Sequence, residues 1–126
     1  MMRVRRRRPA SRLRSDAGAG TVLMVSVAML AITLVAIVVP VTALLIGWQQ
    51  LAATADSAAL AAADTLRGLR PGEPCAVAER VAAANSAAVG GCIPEPEAIS
   101  VSVTATVLGV GIEVTARAGA PWLRVP

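Results

Sequence analysis

The stretch VLMVSVAMLAITLVAIVVPVTALLI, Val22 to Ile46, decides the fold. Its only polar side chains are Ser26, Thr33 and Thr42, and no residue between Asp16 and Asp56 is charged. A helix that crosses a bilayer needs about 20 apolar residues at about 1.5 Å rise each, so this run predicts one spanning helix with slack for tilt. The three hydroxyls are tolerated in lipid because each can donate to a backbone carbonyl of the preceding turn. Pro40 lacks an N–H and crowds the carbonyl of Ala36, which predicts a kink rather than a break. A cleaved secretory signal has an apolar region of about 7–15 residues, and this one is much longer, so retention is expected.

Charge on either side of the run sets its direction. Seven of the twelve arginines precede it, at positions 3, 5, 6, 7, 8, 12 and 14, whereas from Thr21 onward five arginines face seven carboxylates. The net charge of +4 and the pI near 11.0 therefore belong to a basic tail. By the positive-inside rule the tail is cytoplasmic and the chain beyond Trp48 lies outside the cytoplasmic membrane. Arg12 and Arg14 on one side and Trp48, followed by Gln49 and Gln50, on the other fall where interfacial anchors belong. An arginine near an anionic lipid surface contributes about 1 kcal/mol, and with no aromatic residue interleaved for base stacking the tail reads as a lipid contact, not a nucleic-acid site.

Composition excludes most enzyme classes. Of the 126 residues 56% are hydrophobic and only 2% aromatic, with no His, Phe or Tyr. The absence of His removes the commonest metal ligand and the commonest neutral-pH base. No Gly-rich phosphate loop, nucleophile motif or metal-ligand cluster occurs, and Glu95 and Glu97, set among Pro94 and Pro96, read as a solvated turn. The expectation is a non-enzyme without cofactor, metal or small-molecule substrate.

After the span, QQLAATADSAALAAADTLR (49–67) contains no Gly or Pro and is dominated by Ala and Leu, so the helix should continue into water. Leu51, Ala55, Ala58 and Ala62 share one narrow stripe of mostly small residues, and Gln50, Thr54, Ser57 and Asp64 share a polar one. The small stripe can pack on the protein's own ectodomain or on neighbouring copies and partner subunits; the pattern leaves both open. Gly68, Pro71, Gly72 and Pro74 end this helix.

Next comes CAVAERVAAAN, from Cys75, with Cys92 closing the stretch after Gly90 and Gly91. Two cysteines in an exported segment predict a Cys75–Cys92 disulfide. A helix of about ten residues is about 15 Å long. With Asn85 as its left-handed cap, an extended return from Ser86 can bring Cys92 back to Cys75. The spacing is not Cys-x-x-Cys, so the bridge is structural rather than redox-active.

Beyond Pro96, Ile99, Val101, Val103, Ala105 and Val107 alternate with Ser and Thr, then Val110, Ile112, Val114 and Ala116 alternate with Gly111, Glu113, Thr115 and Arg117. This period of two predicts a hairpin about Leu108-Gly109, pairing Val107 with Val110, Ala105 with Ile112 and Val103 with Val114. Leu108 is an imperfect first turn residue, and a looser turn is the alternative. The predicted architecture is α+β, with a basic tail (1–16), a transmembrane helix (17–48), its extracytoplasmic extension (49–67) and a small disulfide-containing ectodomain (68–126) made of a short helix and a β-hairpin.

The order of features, a basic start, RSDAGAGTVLM, one span, then Ala55-Asp56-Ser57-Ala58-Ala59-Leu60-Ala61 and CAVAERVAAANSAAVGGC, resembles the TadE/TadG-like proteins of tight-adherence (Flp) pilus assembly, particularly their small actinobacterial branch. Asp56 stands within the motif that carries this resemblance. The likeness implies a pseudopilin-like stalk and a single-span component of a pilus or related secretion machine. Its partners would be membrane lipid, other pilus or secretion subunits and further copies of itself. Pilin-like precursors are cut after a Gly that leaves Glu at the fifth mature position. Here a cut after Gly20 would leave Val25 there, and one after Gly18 would leave Leu23, so an assembly or minor-subunit role fits better than a major pilin. The alternative is a membrane-tethered adaptor whose ectodomain binds an envelope partner without entering a filament.

Overall fold

The computed structural model describes residues 16–119, with side-chain surroundings from Gly18 onward. The chain order is α1 (Asp16–Leu66), α2 (Pro74–Ala84), β1 (Ala88–Pro94), β2 (Ala98–Val107) and β3 (Val110–Gly119). It divides into two units between Val39 and Pro40.

In the first unit the described chain is helix alone. Its large apolar side chains are exposed on every face, and the stretch is long and apolar enough to cross a membrane. Ser26 and Thr33 donate to the carbonyls of Val22 and Met29, both at 2.8 Å, so each hydroxyl is satisfied within the helix itself. The helix assignment runs unbroken through Pro40.

The second unit is one layer of helix on one layer of sheet. Leu51, Ala55, Ala58, Ala59, Ala62 and Ala63 of α1 form a single buried cluster with Ala78 and Ala82 of α2, with Ile99, Val101 and Val103 of β2, and with Ala116 and Ala118 of β3. Alanine on the helix and valine or isoleucine on the strands are the side chains that fill this interior, in a chain without Phe or Tyr. Thr54, expected on a polar stripe, is buried, as is Thr65. Their hydroxyls donate to the carbonyls of Gln50 and Ala61, both at 2.9 Å, so burial leaves neither unpaired. Beyond Leu66 the Gly68 and Leu69 N–H groups bond to the carbonyls of Thr65 and Asp64, closing the helix end.

Helix α2 starts one residue earlier than the cysteine, at Pro74, with Glu73 as its N-cap. The Glu73 carboxylate accepts from the N–H groups of Cys75 at 3.1 Å and Ala76 at 2.6 Å, and proline at the first helical position has no N–H to leave unpaired. The other end corrects the sequence reading. Asn85 is the C-cap but not the left-handed residue, having φ −106°. That conformation falls on Ser86 at φ +58°. Asn85 is held where it is by its own amide, which donates to the Val81 carbonyl at 2.9 Å, while Ala87 N–H reaches back to Ala82.

The sheet is antiparallel in the order β1-β2-β3. The hairpin has the predicted register, including Val107↔Val110, Ala105↔Ile112 and Val103↔Val114. The tight turn is the one that forms, with Leu108 at φ +50° and Gly109 at φ +78°, the doubly left-handed geometry whose twist matches the strands. The sheet is not a hairpin alone, however. The return segment continues past Cys92 as β1 and pairs with β2 through Ala88↔Thr104 to Pro94↔Ile99, with an irregularity between Val89 and Gly91. A third strand satisfies the backbone edge of β2 that a lone hairpin would leave open.

Candidate functional site

The candidate site is the α1 surface and the small sheet that shares a buried cluster with it. The four residues expected to pack, Leu51, Ala55, Ala58 and Ala62, do pack, and their partner is the protein's own sheet and α2. Of the two possibilities left open by the pattern, the fold fills this stripe from within. The exposed face of the same helical segment carries Ala53, Asp56, Ser57 and Leu60, spaced at i, i+3, i+4 and i+7. Asp56 thus points to solvent on the free side. Ser57 donates to the Ala53 carbonyl at 2.8 Å, so its hydroxyl is turned back onto the helix.

The disulfide pins α2 to the sheet. Cys75, in the first turn of α2, is bonded to Cys92 of β1 with 5.9 Å between their Cα atoms. It closes a loop across 17 positions, and a bridge of that span contributes about 3 kcal/mol by restricting the unfolded chain. In a domain whose largest fully buried side chains are Ile99, Val101 and Val103, that contribution is a large share of the whole.

The start of the second unit holds a feature the sequence reading missed. Ala43, Leu44 and Gly47 are half-buried, whereas their neighbours Val41, Leu45, Ile46 and Trp48 are exposed. A Cβ placed on Gly47 would lie 2.6 Å from Cγ2 of Val107, the last residue of β2. The absence of a side chain at Gly47 is what lets the end of the hairpin lie against the helix. A Gly inside an otherwise ideal helical run was the available signal, since it costs about 1 kcal/mol relative to Ala and so asks for a reason.

Trp48, the expected interfacial anchor, is 52% exposed. The other two anchors, Arg12 and Arg14, lie outside the described residues. Among the described residues two ion pairs lie on the surface, Arg117 with Glu95 and Arg70 with Asp64. The first ties β3 to the β1–β2 connection, so Glu95 serves that turn. Among the described residues no three His, Cys, Asp or Glu side chains are grouped to hold a metal ion.

No family model matches this chain, and neither does any curated protein or solved structure.

Proposed function

We propose that this chain is a pseudopilin-like, single-span membrane component of a Flp/Tad-type pilus assembly or related secretion machine. The observation that supports it most is the composition of α1. One helix is apolar on all sides from Val22 to Ile46, then becomes the layer on which a small antiparallel sheet is mounted. A helix with its N-terminal part in lipid and its C-terminal part carrying a sheet is the plan of a subunit that assembles laterally in a membrane. The tail and the span set the topology, with the N-terminus inside and the disulfide-linked ectodomain outside.

In this reading partner subunits meet α1 on its free side, where Asp56 of the resemblance-bearing motif and the 61% exposed Leu60 lie one turn apart. The burial of Leu51, Ala55, Ala58 and Ala62 favours, for its part, the second reading, a membrane-tethered adaptor that never enters a filament, because the most closely packing face of the helix is already occupied.

Leu60→Arg separates the two. It alters an exposed position, so the fold persists. Under the pilus reading it abolishes co-purification of other pilus or secretion components from membranes and lowers surface pili or secreted protein. If deletion of the whole gene changes neither pili nor secretion, the pilus reading falls and the adaptor stands.

A further inference from the structure

We infer that the tip of the β2–β3 hairpin, Leu108-Gly109-Val110, is a second lipid-contacting element, dipping into the outer interfacial layer of the membrane beside the helix; this rests on the reading of α1 as a membrane span. Three observations within the second unit converge on it.

The first is level. Ile99, Val101 and Val103 are buried with the part of α1 that runs from Leu51 to Ala63, whereas Val107 lies against Gly47. Strand β2 therefore descends the helix toward its apolar segment, and the turn that follows Val107 reaches as far as Gly47 or beyond it. Ile46 ends the apolar run and Trp48 follows after Gly47, a place that suits the passage of a spanning helix through the headgroups. If the helix enters lipid there, the turn arrives at the lipid surface with it.

The second is chemistry. From Ala98 to Ile112 the sequence carries no charge. Toward its C-terminal end Leu108 is 63% exposed and Val110 is 50% exposed. In water such a tip is two apolar side chains with nothing to gain. At an interface it is an apolar wedge with no charged group to desolvate.

The third is conformation. The first position of this turn requires positive φ and favours Asn, Asp or Gly, yet it holds Leu at φ +50°. A side chain with a Cβ is disfavoured there. A bulky apolar residue at an exposed and costly position is unexplained by the fold, which would be served better by Asn. Burial of the Leu side chain in the acyl boundary is favourable and acts against that cost.

The test uses the full chain reconstituted in phosphatidylcholine vesicles with its disulfide intact, so that one introduced cysteine takes an environment-sensitive fluorophore. Three positions are labelled separately: Leu108→Cys at the tip, Glu97→Cys at the opposite end of the sheet, and Val35→Cys in the apolar run. Lipids carrying a nitroxide near the headgroup should quench the label at 108 at least about twofold more than the label at 97, the depth of an interfacial contact being about 5–10 Å. Leu108→Asn, read through a label at Val110→Cys, should lower quenching at the tip while raising the thermal midpoint of the ectodomain, an opposition that a purely structural turn would not show. Equal quenching at 108 and 97, with strong quenching of the label at 35 by deeply placed nitroxides, overturns the inference and leaves the span intact. Absence of quenching at 35 removes the span, and the hairpin contact with it.

Discussion

The two parts of α1 share a backbone and differ in what surrounds them. From Val22 to Ile37 large apolar residues occupy every face of the helix and are exposed among the described residues. From Leu51 to Ala63 the residues are mostly alanine, and one face is buried to completion against a sheet. The lesson is that hydrophobicity and packing are separate properties. The more hydrophobic part is exposed and is long and apolar enough to cross a membrane, whereas the less hydrophobic part supplies the buried cluster with its small side chains.

Paired substitutions can break that comparison. The largest effect is expected from Ile99→Ala set beside Ile37→Ala. Ile99 is wholly buried at the centre of the cluster, and its truncation should cost about 2–5 kcal/mol. Ile37 is exposed, and the same change should leave unfolding of the ectodomain in detergent, followed by circular dichroism, where it was. Equal effects at the two sites would mean that the division of the helix is wrong.

Next in size is the bridge. Cys92→Ser, or reduction of the native protein, should lower the stability of the second unit by about 3 kcal/mol, while alkylation without reductant labels neither cysteine. The helical signal of the apolar segment should persist after reduction, because its hydrogen bonds are internal to the helix.

The third pair places one change in each part of α1. Ala58→Leu adds three carbons to a wholly buried position and should cost about 1–3 kcal/mol by forcing helix and sheet apart. Ala28→Leu, on the exposed apolar part, should be neutral. Under the proposed function, any loss of pili or secretion in Ala58→Leu would then follow from a damaged helix-and-sheet unit, which is why Leu60→Arg on the exposed face is the cleaner probe of partners.

The smallest effect is that of Gly47→Ala, which sharpens the boundary between the two parts. Helix propensity alone would stabilise by about 1 kcal/mol, but the new Cβ falls 2.6 Å from a branched Val107 side chain that has little freedom to yield, at a cost of about 1–3 kcal/mol. The net should be destabilising by no more than about 2 kcal/mol. A rise in the thermal midpoint would show that the hairpin end does not rest on Gly47.

Much of this molecule is written in local patterns. The run from Val22 to Ile46 predicts its own helix, because a helix satisfies its backbone without reference to the rest of the chain, and a helix long and apolar enough to cross a membrane is what forms. The alternation from Ile99 to Ala116 sets the hairpin register, because a slip of one residue would turn every apolar side chain outward. The two cysteines could meet only if the short helix ended near Asn85, and it does, although the left-handed turn falls one residue later, at Ser86. What tertiary structure alone decided is what has no local signature. AVGGCIP alternates poorly and carries two glycines, so its pairing with β2 became apparent only once β2 offered an open edge. The stripe of Leu51, Ala55, Ala58 and Ala62 announced a close contact without naming the partner, because an alanine surface is complementary to almost anything that can approach it. Gly47 likewise gained its meaning from Val107, sixty positions away in the chain, and a contact between residues that far apart is a property of the packed fold and not of either segment.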